Sequence, residues 1–147
     1  VVTFLASGNV IFSAASEDEA GLTGRIELHL ADRLGYEVPT FLRAPAELGR
    51  VASFRPPGHA EGRSLYVIFL RAPADDELRT RFAEVDSEPD RFTVSGREVY
   101  WSIEGKLSES PLFGAGLDRI AGDAPATTRN VTSLRRLVAK LEAGELG

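Results

Sequence analysis

The chain has 147 residues, of which 43% are hydrophobic and 27% charged, and carries a formal net charge of −5 at pH 7. This composition is ordinary for a globular chain and too apolar for a disordered one, and no apolar run approaches the roughly 20 residues of a membrane helix. The acidic balance argues against nucleic acid as a partner, because counterion release from phosphates rewards a basic surface.

Val1–Leu5 and Val10–Phe12 are β-branched and aromatic runs, and Gly8-Asn9 between them suits a tight hairpin turn. Ser16-Glu17-Asp18-Glu19 has the spacing of a capping box. The helix that follows carries Leu22, Ile26, Leu30 and Leu34 on one stripe and stops at Gly35. Val38–Arg43 has the pattern of a strand, placed at an edge by Pro39, which has no N–H to give to a ladder. Pro45 opens a short helix towards Phe54, and the breaker-rich stretch Arg55–Gly62 marks an internal boundary.

Leu65–Leu70 is continuously apolar, which predicts a central strand covered on both faces. A helix over Asp75–Val85 turns Leu78, Phe82 and Val85 inward; its acidic residues suit a solvated face and an acidic first turn. Arg91–Val94 and Arg97–Ile103 flank a hairpin signal at Ser95-Gly96. In the later strand Val99, Trp101 and Ile103 share one face, while Glu98, Tyr100 and Ser102 share the other. Ser110-Pro111 starts a weak helix holding Phe113, Leu117 and Ile120, and Pro125–Arg129 is extended. Asn130 caps a final helix with Val131, Leu134, Leu137, Val138 and Leu141 on its apolar stripe.

From Leu65 the order is strand, helix, strand, strand, helix, strand, helix. Its first six elements follow the ferredoxin-like (α/β plait) pattern. The segment before Phe54 follows the same pattern without its opening strand and helix. The expected fold class is therefore α+β, with two ferredoxin-like units in tandem: a first unit over 1–57 lacking its opening elements, and a second over 58–147 with an extra C-terminal helix. Without that strand the first sheet has an open edge, and unpaired edges recruit other chains. The expectation is that a further segment fills the gap or that the chain forms a homo-oligomer through it.

The chain contains neither cysteine nor methionine. Disulfides, thiolate nucleophiles and Cys-based zinc sites are excluded, and a reducing, cytoplasmic location is favoured. A sequence that opens on Val1 rather than Met implies residues upstream, where any targeting signal would lie.

Four stretches resemble the bacterial domain-of-unknown-function 1697 family: Ser7-Gly8-Asn9-Val10-Ile11-Phe12, Val38-Pro39-Thr40-Phe41-Leu42-Arg43, Gly96-Arg97-Glu98-Val99-Tyr100-Trp101, and Pro125-Ala126-Thr127-Thr128-Arg129-Asn130. The resemblance implies a tandem of ferredoxin-like units that opens with a glycine-rich strand and a helix, both absent here. It brings no activity and no catalytic residues.

Among polar residues, Thr127-Thr128-Arg129-Asn130 leads into a helix N-terminus, where free amides favour anions and Arg129 offers a fork for phosphate or carboxylate. The competing account is a helix cap with Arg129 paired to an acid. Ser7 and Asn9, in the first turn, are further ligand-binding candidates beside a plain turn role. His29 lies near an apolar stripe, and His59 lies in the boundary loop without a second ligand at metal spacing. No metal or other cofactor is expected. No Gly-x-Ser-x-Gly elbow, Walker sequence or dinucleotide fingerprint occurs, and neither histidine has a triad context. Tyr66 and Tyr100 are weighed as base-stacking aromatics on an open sheet face, against packing on that face.

These observations favour a non-enzymatic module that binds a small anion at Thr127–Asn130. Two alternatives stay open: an enzyme using an N-terminal glycine-rich segment, and a binder of single-stranded nucleic acid through the sheet aromatics.

Overall fold

The computed structural model describes residues 2–4, 10–12, 19–113, 115–122 and 124–144. It is an α+β protein that divides into two units: residues 1–52 with 134–147, and residues 53–133.

In the first unit, β1 (Val2–Phe4) and β2 (Val10–Phe12) form an antiparallel hairpin that pairs Phe4 with Val10. The turn residues Gly8-Asn9 and the capping residues Ser16–Asp18 lie outside the described residues. Helix α1 (Glu19–Leu34) ends at Gly35, whose φ of +79° is a glycine conformation, with the Gly35 N–H donating to Ala31 O at 2.9 Å. Its apolar stripe is only partly covered. Thr23 is its buried residue, bonded to Glu19 O, and Leu34 is 48% exposed.

Val38–Arg43, expected as a strand, is not one: residues 37–44 have no ladder partner among the described residues. The local pattern is right for a strand, but a strand needs a neighbour. Here the Thr40 N–H donates instead to the Glu27 carboxylate of α1 at 2.9 Å. Helix α2 (Pro45–Ser53) follows, with Val51 and Ala52 buried.

The second unit holds a four-stranded antiparallel sheet in the order β4-β5-β3-β6, built from β3 (Ser64–Leu70), β4 (Asp90–Ser95), β5 (Glu98–Ile103) and β6 (Ala126–Asn130). The apolar run takes an interior place, as its composition requires, and five of its residues are buried. Register pairs Ser95 with Glu98, so the β4–β5 turn is Gly96-Arg97, one residue later than the Ser95-Gly96 signal. Gly96 at φ +60° takes the first central position, as a type II′ turn requires.

Helix α3 (Asp76–Val85) is capped by Asp75, whose carboxylate accepts the Leu78 N–H at 2.8 Å. Leu78 and Phe82 of α3 and Ile120 of α4 (Ala115–Ala121) join Ile68, Leu70, Val99, Trp101 and Ile103 in the main core. The rings of Phe82, Phe92 and Trp101 run in series, with centroids 5.1 and 5.6 Å apart.

The weak helix expected from Ser110-Pro111 starts later, at Ala115, and Phe113 is 55% exposed rather than inward. The cause lies at Ser110. Its buried hydroxyl donates to Asp90 and accepts the Leu112 N–H, holding a turn in place of a helical start. Helix α5 (Val131–Glu142) is capped as expected, with the Thr132 N–H donating to Asn130 Oδ1 at 2.7 Å. Within the first unit, Arg135 Nε donates to Ala52 O, a carbonyl in the last turn of α2.

β4 is an edge strand, and one side chain guards it. Asp86 Oδ1 accepts the Phe92 backbone N–H at 3.0 Å and Arg91 Nε at 2.8 Å. Burial pushes the Asp86 carboxyl up, but the Arg91 hydrogen bond, the Phe92 N–H and the Arg91 charge outweigh it, and the net shift is downward. This contribution is complete above the ordinary aspartate range and is lost as pH falls through the lowered folded value. Urea midpoints measured from about pH 5 down to about pH 2 should therefore fall less in Asp86→Asn than in the parent. Equal falls would show that the carboxylate does not guard the edge.

Candidate functional site

The sheet of the second unit has two faces, and strand register assigns residues to them. One face, under α3 and α4, takes Tyr66, Ile68, Leu70, Val99 and Trp101. The other takes Leu65, Val67, Phe69, Tyr100 and Ser102, all buried. On this second face the Phe54 ring lies 4.4 Å from that of Tyr100, and burial, then the Glu98 charge, pushes the Tyr100 phenol up to about 12.

A polar cluster occupies this second face. Ser102 Oγ lies 2.8 Å from His59 Nδ1 and accepts Arg63 Nε at 2.8 Å. Arg63 also donates to Glu88 Oε2 at 2.8 Å, Pro89 O at 3.1 Å and Ser102 O at 3.0 Å, and Glu104 stands 3.9 Å from its Nη1. The serine oxygen has two lone pairs, so beside Arg63 it can either donate its hydrogen to His59 Nδ1 or accept a second hydrogen from it, according to the histidine tautomer. The pair has the form of a nucleophile and its base. Its chemistry is limited by burial: Ser102 is 3% exposed, beneath the loop that supplies the histidine.

The predicted cluster lies on β6, an edge strand paired with β3. Arg129 Nη1 donates to Thr127 Oγ1 at 2.7 Å and to Thr128 O at 2.9 Å, and burial lowers the guanidinium pKa. Thr127 and Arg129 share one face of the strand, pairing with Phe69 and Val67. Thr128 and Asn130 share the other, and the Asn130 side chain is engaged as the cap of α5. Sequence proximity therefore does not converge all four side chains on one point.

A cleft of about 340 Å³ opens where β3 ends and β6 begins, lined by Arg71, Pro73, Asp75, Glu77, Arg81 and Pro125 among others. Arg81 pairs with Glu77 and donates to Ile120 O. It lies over Gly122, where a Cβ would come within 2.5 Å of Nη1. This arginine ties α3 to the end of α4, a structural use of its charge.

The family model described as a protein of unknown function, DUF1697, matches residues 1–100. The chain belongs to the DUF1697 family. No curated protein and no solved structure matches it. In this DUF1697 chain the match includes His59, Arg63 and Glu88 and stops short of Ser102 and Thr127–Asn130.

Ser7 and Asn9 lie outside the described residues. Tyr66 and Tyr100 do not share an open face: Tyr66 pairs with Trp101 on the helix-covered side, and Tyr100 pairs with Val67 on the other. Stacking nucleic-acid bases on both from one side is therefore excluded. Two adjacent strands carry them in opposite parity, which only the register reveals. Among the described residues no group of His, Asp or Glu is placed to hold a metal ion, and no helix is long and apolar enough to cross a membrane.

The sequence reading missed Arg63 and Ser102, and found no triad context for His59. Ser102 stands 43 residues from His59 and 39 from Arg63, so no local spacing signals the cluster. One signal was present: an arginine immediately ahead of the apolar central strand.

Proposed function

We propose that this DUF1697 protein is a cytoplasmic module that binds a small anion, with Arg129 and Thr127 of β6 as the principal contacts. The observation supporting this reading is the half-buried Arg129 guanidinium. Its Nη1 bonds to neutral oxygens, and burial disfavours its charge. A bound carboxylate or phosphate would offset that desolvation with a bidentate, charge-assisted pair. Thr128 and Asn130 complete the segment, Asn130 by fixing where β6 passes into α5. The same reading takes the chain as two ferredoxin-like units in tandem, divided near residue 57. Support comes from the second unit, whose element order and sheet order β4-β5-β3-β6 agree with that plait.

The test is a thermal-shift series with inorganic phosphate, pyrophosphate and simple dicarboxylates. For a dissociation constant of about 1 mM, about 10 mM ligand should raise the melting temperature by about 3–5 °C. Arg129→Ala should abolish the rise while leaving the far-ultraviolet circular dichroism unchanged. No shift with any of these anions, or an equal shift in Arg129→Ala, would overturn the assignment.

A further inference from the structure

We propose that the outer edge of β6 takes an added strand, an extended peptide antiparallel to β6 with an acidic side chain opposite Arg129. This rests on the anion reading of Arg129 above and names what carries the anion.

The ladder fixes where each main-chain group on β6 points. The Leu70 N–H donates to Arg97 O at 2.9 Å, so Ile68 and Leu70 turn their main-chain groups to β5, while Val67 and Phe69 turn theirs to β6. Val67 and Phe69 pair with Arg129 and Thr127. Ala126 and Thr128 alternate with those two and therefore turn outward, and none of the described residues accepts either N–H. The opposite edge of the same sheet differs: on β4 the Asp86 carboxylate takes the Phe92 N–H. β6 thus keeps two donors of the kind that strand addition uses.

A side chain holds the matching acceptor. Arg129 Nη1 donates to Thr128 O, the carbonyl an incoming strand needs. A neutral strand offers the guanidinium no replacement. A carboxylate opposite Arg129 draws it away with a charge-assisted pair and uncovers the carbonyl. Because Arg129 spends its main-chain groups on β3, its pair with the new strand is the non-hydrogen-bonded kind, with Cα atoms about 4.5 Å apart and side chains closest. A second copy suits the edge less well. Pairing two β6 strands about Thr128 sets Thr127 opposite Arg129 in place of an acid, and a five-residue edge is small beside the roughly 20 residues a side of a stable interface.

The probe is the peptide acetyl-Thr-Glu-Thr-Val-Thr-amide, compared with its glutamine counterpart, with a form N-methylated at the central threonine, and with inorganic phosphate. Each is titrated into the whole chain and followed by nitrogen-15 NMR. The acidic peptide should shift the Ala126 and Thr128 amides and leave the β4 edge unmoved. Glutamine and N-methylation should each weaken binding about tenfold, the loss of one hydrogen-bonded contact. Thr128→Pro, checked for fold by circular dichroism, should abolish peptide binding and keep the phosphate response, because its N–H lies outside the ladder and proline is tolerated on an edge. The methylated peptide decides the same point without altering the protein. Equal binding of the acidic and methylated peptides, or binding kept by Thr128→Pro, would overturn strand addition. A phosphate response without a peptide response would overturn it too and leave the anion reading standing. Peptide binding undiminished in Arg129→Ala would overturn the anion reading and the acid with it. A concentration-dependent dimer that Thr128→Pro dissociates would give the edge to a second copy and overturn the peptide.

Discussion

Replacing Arg63 with alanine is expected to destabilise the second unit by about 2–3 kcal/mol, the cost of losing the hydrogen bonds that a mostly buried guanidinium donates. Its side chain is 11% exposed and every nitrogen is engaged: Nε with Ser102 Oγ, Nη1 with Glu88, Nη2 with two backbone carbonyls. Removal takes one charged donor from each of the Pro89 and Ser102 carbonyls and from the Ser102 hydroxyl, while Pro89 O keeps the Glu104 N–H and Glu88 keeps Arg91 at 3.9 Å. Glu88 is half exposed, so little of the loss comes from the charge pair itself. Most comes from the buried carbonyls and the serine. Arg63→Lys should recover less than half, because an ammonium offers a point charge where the site needs a planar fork. Urea unfolding of the three proteins decides the matter. A loss under about 1 kcal/mol for the alanine variant would mean that the cluster is surface decoration.

The second large effect is expected at Asp90. This carboxylate is 3% exposed, and its Oδ1 accepts both Trp101 Nε1 at 2.8 Å and Ser110 Oγ at 2.7 Å. One oxygen thereby fixes the largest core side chain and the turn that precedes α4. Asp90→Ala leaves two buried donors unsatisfied, at about 1–3 kcal/mol each. Asp90→Asn keeps an acceptor of the same shape and should cost roughly half as much. The chain has a single tryptophan, so its fluorescence reports this site alone. The alanine variant should show red-shifted emission before global unfolding. Unshifted emission with unchanged stability would show that core packing holds Trp101 without the carboxylate.

How much of this was legible in the sequence depends on what each residue needed in order to be understood. The apolar run Leu65–Leu70 specified an interior strand because a strand covered on both faces has no polar alternation, and β3 is interior. Asn130 specified a cap because its side chain acts within two residues. Val38–Arg43 misled because β-propensity describes a residue's fit to a pleated surface and says nothing of whether a neighbour is present. Ser110 misled because its hydroxyl answers to Asp90, 20 residues away. Tyr66 and Tyr100 were placed on one face because parity between strands is set by register, a non-local quantity. The His59–Ser102–Arg63 cluster is non-local throughout. For Thr127–Asn130 the sequence identified the polar strand and its cap, while the alternation of the strand separates its side chains.

The division of the chain has a consequence for the order of assembly during synthesis. The unit built from residues 53–133 is one uninterrupted run, whereas the other joins residues 1–52 to residues 134–147. In synthesis, the uninterrupted unit has all its strands before residues 134–147 are made. Residues 1–52, although translated earlier, must wait for them. Chains ending before Leu134 and released from the ribosome should thus show the later-encoded sheet formed and the earlier-encoded helices still incomplete in their contacts, the reverse of the usual vectorial sequence.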